Sequence, residues 1–170
     1  ERHPNTLMSM NNYSESLGKL GRDEEALDFD KRVLDIRTEV LGERHPNTLI
    51  SMNNYSVSLG KLFRYEEALD VSKRALDIQT EVLGERHPNT LMSMKNYSAV
   101  LFKLGRVEEA LDVQKRALDI ATEVLGERHP NTLMSMNNCS VSLGKLGRYE
   151  EALDVSKRVL DIATEVLGER

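Results

Sequence analysis

Four histidines could take part in metal binding or acid–base chemistry. They are His3, His45, His87 and His129, each placed directly before a proline and separated from the next by 42 residues. A metal site needs several ligands within a few ångströms, and no second His or Cys lies three or four residues from any of them. A His-Pro step is instead typical of a helix start, where the missing proline N–H costs nothing and the preceding residue can cap the helix.

The acidic residues and the only cysteine show no catalytic pattern either. Asp28 with Arg32, and Lys31 with Asp35, have the i,i+4 spacing of solvated pairs on the polar face of a helix. Cys139 stands where the other three copies of the repeat described below carry tyrosine, so we expect it to be buried, and one cysteine excludes a disulfide within the chain. Phosphate-binding glycine loops are absent from the sequence. We therefore expect a protein that is not an enzyme, with no cofactor and no metal.

The elements that carry these residues belong to a repeat of 42 residues. Its four copies cover residues 1–42, 43–84, 85–126 and 127–168, and Glu169 and Arg170 remain as the start of another copy. The second and fourth copies differ at only five positions. A fixed period of this length is typical of stacked units, so the sequence predicts a single array over residues 1–168 rather than separate globular domains.

Composition and charge narrow the classes of partner. Apolar residues make up 39% of the chain and charged residues 30%, which suits a chain that buries a continuous core between repeats. The formal net charge of -5 argues against nucleic acid and anionic membranes, because both need clustered Lys and Arg. The apolar stretches are short and the first residues match the interior copies, so we expect neither a membrane span nor a signal peptide, and a cytoplasmic location.

Each copy is predicted to form two helices. Helix A begins at the His-Pro step and helix B begins near Glu24 and Glu25 and ends before Gly42. The apolar residues of the first helix A follow spacings of three and four, namely Leu7, Met10, Tyr13, Leu17 and Leu20. A single hairpin cannot bury its apolar faces alone, so the hairpins should stack. The expected fold is an all-α solenoid of eight helices.

The helix B residues resemble those of the tetratricopeptide repeat family. Residues 147–153 read Gly-Arg-Tyr-Glu-Glu-Ala-Leu, and Ala75 and Ala117 each follow seven residues after the first alanine of their own helix B. The period of 42, with His-Pro, Asn-Thr and Asn-Asn in each copy or nearly so, is similar to the repeats of kinesin light chains and of nucleotide-binding signalling proteins. This resemblance implies a right-handed superhelix whose A helices line a concave surface.

One face of helix A supplies the candidate binding residues. If its core side is centred near Met10 and Leu17, then Asn11, Asn12 and Lys19 fall on the opposite face, and the resemblance implies that this face lines the groove. The predicted partner-binding residues are Asn11, Asn12, Lys19, Asn53, Asn54, Lys61, Lys95, Asn96, Lys103, Asn137, Asn138 and Lys145.

These residue types favour a peptide ligand. Asparagine offers a donor and an acceptor to a peptide backbone, and the five lysines face only one glutamate, Glu15, so an acidic or carboxylate-bearing peptide is expected. Alternatively the lysines only solubilise the surface and the asparagines bond across neighbouring repeats. Met8, Met92 and Met134 form either an adaptable apolar strip or the edge of the core.

The sequence thus predicts a non-catalytic protein-interaction scaffold that binds an extended peptide. The alternative is self-association, because the terminal copies carry the same apolar residues as the interior ones and should expose them. These residues are Leu7 and Met10 at one end and Val159, Leu160, Val166 and Leu167 at the other. An idealised array with no dedicated ligand would show the same pattern.

Overall fold

The computed structural model describes the backbone of residues 3–168 and the side chains of residues 3–165. Glu169 and Arg170, and the side chains of Val166 and Leu167, therefore lie outside the described residues. Eight α-helices joined by short turns make up the described part of the chain. They are α1 (Pro4–Lys19), α2 (Asp23–Leu41), α3 (Pro46–Lys61), α4 (Tyr65–Leu83), α5 (Pro88–Lys103), α6 (Val107–Leu125), α7 (Pro130–Lys145) and α8 (Tyr149–Gly168). The odd-numbered helices are the predicted helices A, and the even-numbered ones are the predicted helices B.

The histidines cap the A helices, as their position before proline predicts. In α1 the His3 Nδ1 accepts a hydrogen bond from the Asn5 backbone N–H at 3.2 Å, and Pro4 occupies the first turn. The same contact recurs at α3, α5 and α7, each at 3.1 Å. The imidazole nitrogen satisfies one of the N–H groups that a helix start leaves unpaired. Capping thus accounts for all four histidines.

The turn between helices A and B requires a left-handed residue. Gly21 has a φ of 74°, and Gly105 and Gly147 adopt nearly the same angle. In the second copy Phe63 takes this place with a φ of 60°, where a side chain costs roughly 1 kcal/mol. Its ring is 78% exposed and meets Tyr65 edge to face, with the centroids 6.0 Å apart. Phe63 therefore adds apolar surface without filling a core.

An arginine–glutamate pair orients the start of each helix B, a feature that the sequence interpretation missed. In the first copy the Arg22 guanidinium donates to both oxygens of Glu25, each at 2.6 Å, and the other three copies repeat the pair at the same spacing. The arginine holds the pKa of the Glu25 carboxyl below its usual range. Both side chains are about half exposed, so the pair orients the turn and adds little to stability.

The helices form two compact units that divide between Gly84 and Glu85. Unit 1 contains α1 to α4 and unit 2 contains α5 to α8, so each consists of two whole copies of the repeat. A core cluster in unit 1 joins α3 to α4 through Leu49, Met52 and Ala75. A different cluster in unit 2 joins α6 to α7, across two hairpins, through Leu111, Cys139 and Leu143. That the four copies form a single array over residues 1–168 remains a prediction.

Polar residues of helix B tie each hairpin to the next within a unit. The Ser58 hydroxyl of α3 donates to the Asp30 carboxylate of α2 at 2.5 Å, and the Ser142 hydroxyl of α7 donates to Gln114 of α6 at 2.7 Å. All four side chains are buried. These hydrogen bonds satisfy polar groups that would otherwise be expensive to bury, and they fix the position of one A helix beside the preceding hairpin.

Candidate functional site

The predicted binding residues of unit 1 lie at different depths. Asn12 is exposed, Asn11 and Asn54 are half-buried, and Asn53 is only 6% exposed. Lys19 and Lys61 are exposed at the ends of their helices. Asn53 therefore offers almost no surface to a partner, whereas Asn12 and Asn54 do.

The corresponding residues of unit 2 are more accessible. Asn137, Lys103 and Lys145 are exposed, and Lys95, Asn96 and Asn138 are half-buried. Half-burial leaves part of an amide or ammonium group available while packing holds its direction. Their role in binding stays a prediction.

The lysines of this surface differ in their partners. Lys19 pairs with Glu15 at 2.7 Å, and Lys61 lies 3.8 Å from Asp23. The Lys95 ammonium instead donates to the Met134 sulfur at 3.4 Å, and no carboxylate of the described side chains pairs with it. Sulfur is a weak acceptor, so Lys95 keeps most of its capacity to bind an anion.

Lys95 opens onto a cavity enclosed by α5, α6 and α7, all in unit 2. The cavity has a volume of about 240 Å³. Its apolar lining includes Leu91, Met92, Ala117, Ala121, Val124 and Met134, and its polar lining includes Lys95, Ser98, Ser135 and Asn138. Two predicted binding residues, Lys95 and Asn138, thus meet at one concave site. Asn96, Lys103, Asn137 and Lys145 are not among its lining residues.

Three methionines of the A helices lie outside the core, namely Met8, Met92 and Met134. Met8, Met92 and Met134 are 57%, 52% and 40% exposed, and the last two line the cavity. Their exposure argues against packing inside the core, and their role as an adaptable apolar strip stays a prediction. An unbranched thioether can repack around ligands of different shape.

The equivalent place in unit 1 is filled by Arg37. The Arg37 Nη1 donates to the Asn47 carbonyl at 3.0 Å and to the Ser51 hydroxyl at 2.8 Å. With the Asn11 amide oriented so that its oxygen faces α2, that oxygen accepts from both terminal nitrogens of Arg37 at 3.3 and 3.1 Å. Arg37 is only 8% exposed, and burial lowers the pKa of its guanidinium. The side-chain oxygen of half-buried Asn11 is therefore engaged by Arg37 and is not free to accept a hydrogen bond from a ligand.

Arg37 was not among the predicted site residues, although the sequence carried a signal for it. The four copies place Arg37, Gln79, Ala121 and Ala163 at one position of helix B, a change from charged to small in otherwise similar segments. Sequence alone does not show that this position faces the next A helix. Its importance emerges only when the three helices are seen together.

Comparison with known proteins identifies the repeat. The family model described as tetratricopeptide repeat matches residues 5–79, 53–120 and 95–165. The chain belongs to the tetratricopeptide repeat family. None of the curated proteins with which it was compared matches it. The resemblance recognised in the helix B residues is confirmed.

Solved tetratricopeptide-like structures share the fold of this chain. A Podosopora anserina protein with nearly identical TPR-like repeats, described as of kinesin light chain type, superposes with a TM-score of 0.86 at 23% identity, over 98% of this chain and 79% of that one. BtubC from P. vanneervenii superposes with a TM-score of 0.85 at 18% identity, over 95% of this chain and 65% of that one. A Rap protein complexed with competence and sporulation factor superposes with a TM-score of 0.80 at 17% identity, over 95% of this chain and 43% of that one. The predicted class, an all-α solenoid, is confirmed.

The described residues were also compared with what a metal site, a membrane span and a reactive cysteine require. No group of three or more His, Cys, Asp or Glu side chains there is arranged to hold a metal ion. None of the described helices combines the length and apolar character that a membrane crossing requires. Burial raises the pKa of the Cys139 thiol to about 11, which leaves it protonated and unreactive near neutral pH.

Proposed function

We propose that the chain is a non-catalytic interaction scaffold that binds an extended peptide in a groove lined by its A helices. The observation that carries this proposal is the cavity of unit 2, where Lys95 and Asn138 stand beside an apolar lining. Concave apolar sites with a few converging polar groups are the usual form of a ligand site. The family supports the scaffold role, since tetratricopeptide repeats act in protein interactions.

The polar residues of the A helices suit this ligand. Asn12, Asn54, Asn96 and Asn138 occupy the same position of the four A helices and are exposed or half-buried. Each amide can donate to a peptide carbonyl and accept from a peptide N–H, so the contact does not depend on the peptide's side chains. Lys95 adds a preference for an acidic residue or a terminal carboxylate. A similar Rap structure holds a bound factor, which agrees with a fold that receives ligands. We place this activity in the cytoplasm, as the likeness to adaptor and signalling proteins implies.

Asparagine-to-alanine changes test the peptide contact. A peptide is first selected on the chain from a random display library, and its affinity is measured by fluorescence anisotropy. Asn138→Ala and Asn54→Ala should each weaken binding roughly fivefold, which corresponds to about one lost hydrogen bond. Helicity measured by circular dichroism should stay unchanged because neither side chain belongs to a core cluster.

Asn5→Ala is the matched control, since Asn5 is exposed in the first turn of α1 and outside the predicted binding residues. It should leave the affinity as it was. Equal affinity for all three variants would refute the peptide contact of the asparagines, and failure to select any peptide would refute the proposed function.

Self-association is the second candidate, favoured by the exposed face of α8. Leu153 and Leu160 are 68% and 65% exposed, whereas Leu111, which takes the place of Leu153 in α6, is 2% exposed. In unit 2 the α6 helix packs against the following A helix, α7. The same face of α8 can receive helix A of a second copy in the same manner.

Sedimentation of the 170-residue chain over a wide range of concentration tests this candidate. We expect the mean mass to rise above the 19.3 kDa of one chain as the concentration increases. Leu153→Glu should restore the monomer because it places a charge in the apolar contact. Val57→Glu changes an exposed apolar residue of α3 and should have no effect. A constant monomer mass for the unmodified chain would contradict self-association.

A further inference from the structure

Two equivalent positions of helix B carry larger side chains in unit 1 than in unit 2. Residues 84 positions apart correspond, so Arg37 and Val33 of α2 match Ala121 and Ala117 of α6. Arg37 and Val33 are buried in unit 1, and the two alanines line the cavity in unit 2. The cavity therefore exists where two large side chains have been replaced by methyl groups. The lining also differs at Lys95, Gln114 and Met134, which correspond to Asn11, Asp30 and Ile50, but only at the two alanines is the side chain much smaller than its counterpart.

The positively charged side chain at this place also belongs to a different helix in each unit. In unit 1 it comes from Arg37, and Asn11 of α1 supplies the amide that contacts it. In unit 2 the position of Asn11 is taken by Lys95, so the charge sits on helix A and the space below it is empty. In unit 1 the side chain of Arg37 thus occupies this place, whereas in unit 2 the Lys95 ammonium lies beside an open cavity.

We propose that the cavity between α5, α6 and α7 receives one large apolar side chain of the bound peptide, while Lys95 binds a carboxylate beside it. Arg37 closes the equivalent place in unit 1, so residues 37 and 121 decide which unit accepts the side chain. This inference rests on the proposed function and adds the location and the chemical class of the anchoring residue.

The size of the cavity fits such a side chain. A dry apolar cavity of about 150 Å³ holds a benzene molecule. The cavity of unit 2 measures about 240 Å³ and so has room for an aromatic or large aliphatic group. Met92 and Met134 at its wall can adjust to the shape of that group.

The charges around the cavity favour a carboxylate at Lys95 rather than elsewhere. Arg86 also lines the cavity, but it already pairs with Glu123 at 2.6 Å. Lys95 meets only the Met134 sulfur among the described side chains. A carboxylate that replaces this weak acceptor forms a charge-assisted hydrogen bond. The pocket therefore selects an apolar group that carries or adjoins a negative charge.

Small probes test the two parts of the pocket separately. Phenylbutyrate carries a ring and a carboxylate, phenylbutanol lacks the charge, and glutarate lacks the ring. Binding is followed by the NMR signals of the methionine methyl groups, with Met92 and Met134 as reporters and Met8 of unit 1 as internal control. Phenylbutyrate should shift both reporters and leave Met8 unchanged. Lys95→Asn should weaken phenylbutyrate roughly tenfold, as for a lost charged hydrogen bond, and leave phenylbutanol unaffected.

Closing variants test the role of position 121. Ala121→Leu fills the cavity without charge, and Ala121→Arg combined with Lys95→Asn reproduces the arrangement of unit 1. Asn131 and Ser135 stand where Asn47 and Ser51 bind Arg37, so the introduced arginine finds the same partners. Both variants should abolish the shifts of the reporter methyls. If both variants still bound phenylbutyrate, the proposal that the ligand enters this cavity would be overturned.

The opening variant Arg37→Ala with Asn11→Lys supplies the converse test. It should bring the Met8 methyl into the set of signals that phenylbutyrate shifts. A Met8 signal that stays unmoved, in a chain of unchanged helicity, would overturn the role of Arg37 in closing unit 1.

The selected peptide separates this inference from the proposed function. Ala121→Leu should weaken that peptide roughly tenfold, because about one large apolar group loses its site. A peptide that binds the unmodified chain and the Ala121→Leu variant equally well would overturn the pocket and leave the scaffold function intact. A chain that binds no peptide would overturn both, even if phenylbutyrate enters the cavity.

Discussion

Replacing Leu111 with alanine is expected to lower the free energy of unfolding of the chain by about 3 kcal/mol. Leu111 is 2% exposed and packs with Cys139 and Leu143 in the core cluster that joins α6 to α7. Truncation removes buried apolar surface and leaves a cavity that the stacked helices can only partly close. Urea unfolding followed by circular dichroism measures the change.

The chain provides a matched control in Leu153→Ala. Leu153 occupies the place of Leu111 one copy later, in the same unit and with the same neighbours in sequence, but is 68% exposed. Its truncation should change the free energy of unfolding by only about 0.5 kcal/mol. An equal loss in both variants at low concentration would contradict the burial difference. An equal loss only at high concentration would show that a second copy covers α8.

The sequence was sufficient to predict the helices and their ends. The His-Pro steps and the left-handed glycines depend on local backbone chemistry, which the residues themselves determine. Helix α1 begins at Pro4, and α2 ends at Leu41 before Gly42, as the pattern indicated. The stacking of hairpins also followed from the sequence, because one hairpin cannot bury its apolar stripe. These features need no knowledge of distant contacts.

The candidate site was predictable only in part. Helical spacing places Asn11, Asn12 and Asn53 on the polar side of helix A, but it does not show which neighbouring side chain lies beside each one. Arg37 of α2 engages the Asn11 side-chain oxygen, and Asn53 is buried, so these two residues offer a ligand less than the helical spacing predicts. Such contacts depend on the crossing of three helices, which a repeat period does not specify.

The polar residues of helix B mark a second limit of the sequence interpretation. Asp30 and Gln114 are buried polar residues of helix B, and their sequence positions alone do not identify their partners. Within each unit they accept hydrogen bonds from Ser58 and Ser142 of the next A helix. The serine and its acceptor lie 28 residues apart, so only the packed structure reveals the pair.

Cys139 should react with a thiol reagent roughly 100-fold more slowly than an unperturbed cysteine at the same pH. Burial raises the pKa of its thiol from 9.0 to about 11, so the thiolate fraction below pH 9 falls by two powers of ten. The side chain is also 2% exposed, which limits access of the reagent further. Reaction with Ellman's reagent measures the rate. Val141→Cys in a Cys139→Ala background is the control, since Val141 lies two residues away in α7 and is 60% exposed.

The same pKa shift makes the stability of the chain depend on alkaline pH. An unfolded chain loses the Cys139 proton near its ordinary pKa of 9.0, whereas the folded chain keeps it up to about 11. The stabilisation is therefore complete below pH 9 and is lost as the pH rises towards 11, by at most about 3 kcal/mol. The effect is measured as the difference in free energy of unfolding between the chain and its Cys139→Ala variant at each pH, so that contributions common to both cancel. Parallel stability curves for the two would contradict a buried thiol, and rapid labelling of Cys139 at neutral pH would show that α7 separates readily from α6.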